Sequence, residues 1–163
     1  MSRENPDRLR ERLGVESQAH QSAVDALDDA AAACLGVNRT DLRCLEYLMQ
    51  RETAAPSELG SALGLTTGSV TAMLDRLERL GYLTRSPDPT DRRKVVVRVT
   101  PDATRRGRDI YGPIAEEGAR TIAASYTADE LELIIGFLTG SRELYERHLD
   151  RVRGMPQAGR RVR

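Results

Sequence analysis

Residues 87–95 read PDPTDRRKV. Three cations, Arg92, Arg93 and Lys94, stand together between two β-like runs, YLTRS and KVVVRVT. Proline, aspartate and threonine ahead of the cations supply turn chemistry, so a hairpin is predicted here. A narrow cationic tip can enter the minor groove of a duplex, where a narrow groove deepens the potential that attracts arginine. Asp91 would be repelled by phosphate, and its expected role is a short anchor that aims an arginine two residues away. A solvated turn is the plain alternative, and the elements upstream weigh against it.

Those elements are two short helices with almost no connection between them. PSELGSALGL begins near Pro56 and is ended by Gly64; TTGSVTAMLDRLERLGY is capped by Thr66 and ended by Gly81. A tight helix pair running into a two-stranded hairpin makes a winged helix-turn-helix, whose second helix fits the major groove. Val70, Met73, Leu74, Leu77 and Leu80 form its predicted inward stripe, leaving Thr67, Gly68, Ser69, Ala72, Asp75, Arg76 and Arg79 outward. Thr66, Thr67, Ser69 and Thr71 are the candidate hydroxyls for phosphate or base edges, although Thr67 and Ser69 could equally be first-turn caps. The planar fork of Arg76 suits guanine O6 and N7, unless it pairs with its neighbours Asp75 or Glu78. Arg79 is assigned to phosphate.

Total charge is silent about partners, because the chain's 163 residues carry 25 Lys+Arg against 25 Asp+Glu. The distribution is not silent. Arg76, Arg79, Arg85, Arg92, Arg93, Lys94 and Arg98 outweigh the local acids, whereas Asp25, Asp28, Asp29, Asp41, Glu46, Glu52 and Glu58 lie upstream. No nucleophile–base pair, glycine-rich phosphate loop or metal-ligand cluster stands out, so neither catalysis nor a cofactor is expected. His20 and His148 are too far apart to suggest a metal. Cys34 and Cys44 form no disulfide framework, and no signal-like or membrane-length apolar run is visible. A cytoplasmic protein is the default.

The rest of the chain is read as helices, giving a mainly α fold with a small β-wing. Residues 1–15 are expected to be frayed. A helix is read over 16–39, with Val24, Leu27, Ala30, Ala31, Cys34 and Leu35 on one face from Ala23 onward and Gly36 as the stop. The winged unit spans 40–100, opening with Thr40 as N-cap and a stripe of Leu42, Leu45, Leu48 and Met49. Thr100-Pro101-Asp102 starts a helix in which Pro113 predicts a kink, and Thr127 to Glu130 form a capping box for the last helix. These two helices span 101–153. The last is apolar on two sides, with Leu133, Phe137 and Leu144 on the second, as if facing another chain as well as its own. Residues 154–163 are expected to form a basic, disordered tail.

NRTDLRCLEYL together with residues 56–100 resembles the MarR (multiple antibiotic resistance regulator) family. The likeness runs from about residue 16 to 150 and is strongest over 40–100, where the Leu-Gly-Leu-Thr turn and the Asp-Arg-Arg wing are its specific marks. The resemblance implies a homodimer built from the first and last helices, with 16–39 as an N-terminal dimerisation helix and 101–153 as C-terminal dimerisation helices, binding a pseudopalindromic operator. It further implies repression relieved by a small molecule or an oxidant, with Arg93 in the minor groove and Asp91 supporting it. Ala103 departs from the glycine common after the wing. An effector pocket would lie where the first, second and fifth helices meet the winged lobe, with His20, Arg43, Tyr47 and Tyr111 as weak candidates. Two rivals stay open: a redox-responsive regulator using Cys34 or Cys44, and a winged helix that binds only protein.

Overall fold

The computed structural model describes residues 5–155. It contains α1 (Pro6–Leu35), α2 (Arg39–Arg51), α3 (Pro56–Leu63), α4 (Thr67–Arg79), β1 (Leu83–Pro87), β2 (Val95–Val99), α5 (Pro101–Ser125) and α6 (Ala128–Arg153). The chain forms two compact units, one ending at Gly112 and one beginning at Pro113.

Local chemistry explains most boundaries. Asn5 caps α1 by accepting from Asp7 N at 3.0 Å, and Pro6 supplies a preset first turn, so the helix starts well before Ala23. That corrects the frayed reading of residues 6–15; residues 1–4 lie outside the described residues. Asn38, not Thr40, caps α2. Its Oδ1 accepts from Asp41 N at 2.9 Å while Asp41 Oδ2 accepts from Asn38 N at 3.3 Å. Gly36, Gly64 and Gly81 all adopt positive φ, which closes the preceding helices. Thr100 Oγ1 accepts from Ala103 N at 3.2 Å and donates to Gly81 O at 2.8 Å, joining the start of α5 to the end of the α4 turn.

The first unit has one core. Leu45, Leu48, Leu59, Met73, Leu74, Leu77, Leu83 and Val97 are essentially excluded from solvent. Leu80 is half exposed, because it sits at the C-cap and not inside the helical stripe. Strands β1 and β2 pair antiparallel with Arg85 opposite Val97, and Ala54 bridges to the other side of Val97. That bridge stitches the α2–α3 connection to the wing, with Ala54 N to Val97 O at 3.1 Å and Val97 N to Ala54 O at 2.9 Å.

Helix α5 continues unbroken through Pro113, the unit boundary falling at that proline. Helix α6 buries none of its residues; Leu133, Ile135, Leu138 and Tyr145 are each more than half exposed. No helix among the described residues is long and apolar enough to cross a membrane. Of the tail, only Gly154 and Met155 are described, and the disorder expected over 156–163 lies outside the described residues.

The cysteines separate clearly. Ala31, Ala32 and Leu35 carry the buried side of α1, so Cys34 is exposed, which corrects its placement on the inward stripe. Cys44 is fully buried, and its thiol is pushed up to about 12, first by burial and then by the charge of Asp41. A thiol reagent at neutral pH is therefore expected to label Cys34 and to reach Cys44 only after unfolding; mass spectrometry showing both labelled in the native protein would contradict this. The same shift has a sign for stability. The folded chain keeps a proton that the unfolded chain releases above about pH 9, so stability falls as pH rises from there towards the folded value.

Candidate nucleic-acid interface

The wing tip is organised by carboxylates and displayed as cations. Asp88 Oδ1 accepts from Thr90 N at 2.7 Å, Thr90 Oγ1 at 2.6 Å and Asp91 N at 3.1 Å. These bonds hold the Asp88 carboxyl below the usual carboxylate range. Asp88 N donates to Lys94 O and Lys94 N to Asp91 O, both at 2.9 Å, closing the loop. Asp91 Oδ1 accepts from the backbone N of Arg93 at 3.1 Å, and its Oδ2 lies 3.9 Å from Lys94 Nζ. Asp91 thus fixes Arg93 through the main chain and not through the guanidinium. Arg92, Arg93 and Lys94 are all exposed.

Helix α4 presents Thr67, Gly68, Ser69, Thr71, Ala72 and Arg79 to solvent. Its first turn is tied locally. Thr66 Oγ1 accepts from Ser69 N at 3.3 Å and lies 2.9 Å from Ser69 Oγ, and Thr71 Oγ1 donates to Thr67 O at 3.1 Å. These bonds do not exhaust a hydroxyl, which has one donor and two acceptor sites.

The charged second half of the helix is more constrained than its sequence suggests. Arg76 grips Asp41 of α2, Nε to Oδ2 at 2.7 Å and Nη2 to Oδ1 at 2.5 Å. The Asp41 side chain is fully buried while that of Arg76 is 39% exposed. The bidentate bond raises the Arg76 pKa further, so its charge is permanent. Asp75 and Glu78, the neighbours considered for Arg76, go instead to Arg85 of β1. Arg85 Nη2 is 2.6 Å from Asp75 Oδ1 and 2.5 Å from Glu78 Oε2, and Arg85 N donates to Glu78 Oε1 at 3.1 Å. Arg85 therefore adds little to the open positive charge of the lobe.

The Asp41–Arg76 clamp was not legible in the sequence, because 35 residues separate the two and no local pattern links them. The Asp88 turn did carry a signal: aspartate followed by threonine two positions on is an Asx-type turn pattern.

Of the four pocket candidates, Tyr111 lines a partly open apolar cavity of the first unit, a space of about 50 Å³ between α1, α2 and α5. Glu46, Met49, Tyr82 and Gly107 also face it. Tyr111 donates to Asp28 Oδ1 at 3.0 Å, and burial followed by the charge of Glu46 raises its phenol. Asp28 also sits 2.8 Å from Arg39 Nη1 but off the hydrogen-bonding line, an ionic contact that joins α1 to α2. His20 and Arg43 are exposed, and Tyr47 stacks under Arg51, 4.5 Å from the ring centre, in an open groove against α3. No group of His, Cys, Asp and Glu among the described residues could hold a metal ion.

Residues 37–95 match the MarR family. The HTH-type transcriptional regulator YcgE of Bacillus subtilis is 39% identical over 124 residues, covering 76% of this chain and 80% of its own. The multiple antibiotic resistance protein MarR of Salmonella typhimurium is 30% identical over 97 residues, covering 60% and 67%. Among solved structures, YusO of Bacillus subtilis superposes with a TM-score of 0.60 at 19% identity, covering 86% of this chain and 99% of its own. A MarR mutant from E. coli complexed with operator DNA gives 0.53 at 22%, covering 85% and 99%. At these identities the two structures show a shared fold.

Proposed function

Since the chain belongs to the MarR family of transcriptional regulators, we infer that it is a non-enzymatic, homodimeric repressor that binds a pseudopalindromic operator as duplex DNA. The observation that carries this reading is the wing: three exposed cations on a turn whose carboxylates accept mainly from its own backbone amides, with only Lys94 near one of them, 3.9 Å from Asp91 Oδ2. Arg92, Arg93 and Lys94 enter the minor groove, with Arg93 aimed by Asp91. Helix α4 enters the major groove with its N-terminal half, where Thr66, Thr67, Ser69 and Thr71 meet base edges or phosphates and Arg79 meets phosphate. The operator complex of the E. coli relative supports a DNA role for this fold.

Binding to a duplex carrying the protein's own promoter should weaken steeply with salt, log K falling by about 0.9 per log unit of salt for each phosphate neutralised. A flat profile, or no binding at low salt, would favour the protein-binding rival. Dimerisation is assigned to α1 and α6, because α6 exposes apolar residues on more than one side. Phe137→Glu with Leu144→Glu, seven residues apart on one face, is expected to halve the mass seen by sedimentation; a persistent dimer would move the interface elsewhere.

The small-molecule effector is assigned to the cavity at Tyr111. As it stands the space is far below the roughly 300 Å³ of a typical ligand site. Met49, which lies where a side chain on Gly107 would be, is the flexible group that must swing away to admit a ligand.

A further inference from the structure

The Asp41–Arg76 pair assigns a role that an arginine on this helix would not suggest. Resting on the DNA reading above, we propose that Arg76 is a positioning residue that locks α4 to α2 through Asp41, and that it reads no base itself.

Both oxygens of Asp41 are engaged: Oδ1 by Arg76 Nη2, Oδ2 by Arg76 Nε and by the amide of Asn38. That carboxylate is wholly buried and close to the start of α2. If Arg76 swung out towards a guanine, it would leave a buried negative charge with one backbone amide, a state proteins avoid. A contact made without leaving Asp41 is restricted to the Nη1–Nη2 edge of a guanidinium whose position is already fixed. The second clamp acts on the same half of the helix. Arg85 of β1 holds Asp75 and Glu78, so α4 is tied to α2 by one arginine and to the wing by another.

The geometry this produces has a use. A recognition helix reads bases only if its roll and tilt are fixed to a fraction of an ångström relative to the wing that enters the minor groove. Base reading then falls to the exposed first two turns, where Thr67, Thr71 and Ala72 offer methyl groups to thymine and hydroxyls to either partner.

The test uses the full chain and a duplex selected by the wild-type protein from a random-sequence pool. Each guanine is replaced in turn by 7-deazaguanine, which lacks the N7 acceptor. Asp41→Asn is expected to weaken binding by about tenfold or more and to flatten base preference evenly across the half-site. The pair Asp41→Asn with Arg76→Gln leaves two neutral amides that can still bond, with no orphaned charge. It supplies the folded comparison if either single variant fails to fold, as checked by circular dichroism. It is expected to return affinity to within about threefold of wild type with the same base preference. Two results would overturn the assignment. One is a 7-deazaguanine effect in the wild type that vanishes in the double variant; the other is Asp41→Asn binding as wild type does. A wild-type chain that selects no duplex would instead remove the DNA reading on which the assignment rests.

Discussion

Replacing Arg92, Arg93 and Lys94 together by alanine lowers affinity for operator DNA by at least about a hundredfold near 0.1 M salt, on the expectation that the wing carries the phosphate and minor-groove contacts. In the proposed dimer six cations are lost, so the slope of log K against log salt should flatten by up to about 5. The three side chains are exposed, and the turn beneath them is closed by Asp88, Asp91 and backbone amides. Helicity and thermal midpoint should therefore stay at wild-type values, which separates lost contacts from lost fold. Arg93→Ala alone is the milder version, removing about 1–3 kcal/mol and part of the preference for A·T at the flanks. An unchanged salt slope in the triple variant, measured by fluorescence anisotropy, would sink the wing assignment.

Leu77→Ala is the second large effect, and it concerns the frame. Leu77 is fully buried in a core to which α1 to α4, the hairpin and the start of α5 all contribute. Truncating such a leucine costs about 2–5 kcal/mol through lost transfer energy and the cavity left behind. A domain of this size has only about 5–15 kcal/mol in total, so the thermal midpoint should drop by roughly 10 °C or more. Calorimetry or circular dichroism checks it, and a fall of less than about 3 °C would mean that the site collapses freely. DNA binding at low temperature should survive, because no contact residue has changed.

Much of this fold was legible because its signals are local. The 3.6-residue stripes of α2 and α4, the caps at Thr66 and Thr127, and the hairpin 83–99 all depend on residues a few positions apart. Structure and sequence part where a local signal meets a stronger competitor. Asn38 outbids Thr40 as a cap because Asp41 completes its box, and the Asn5–Pro6 start extends α1 through a stretch too polar to show periodicity. Cys34 lies on the apolar face of α1 but outside the narrower strip, Ala31, Ala32 and Leu35, that is buried.

For the site, the sequence by itself determined which groups are on offer: a cationic turn at 92–94, a hydroxyl-rich helix start at 66–71, and a net charge of zero divided into acidic and basic stretches. These follow from residue type and short-range geometry, which need no partner from elsewhere in the chain. Only the tertiary structure decided which charges are free to meet a ligand. Arg76 and Arg85 look like further DNA contacts in sequence, yet folding brings Asp41 and Glu78 to them at 2.5 Å. The physical reason is that an ion pair is set by distance in space, and burial of one partner makes leaving it costly.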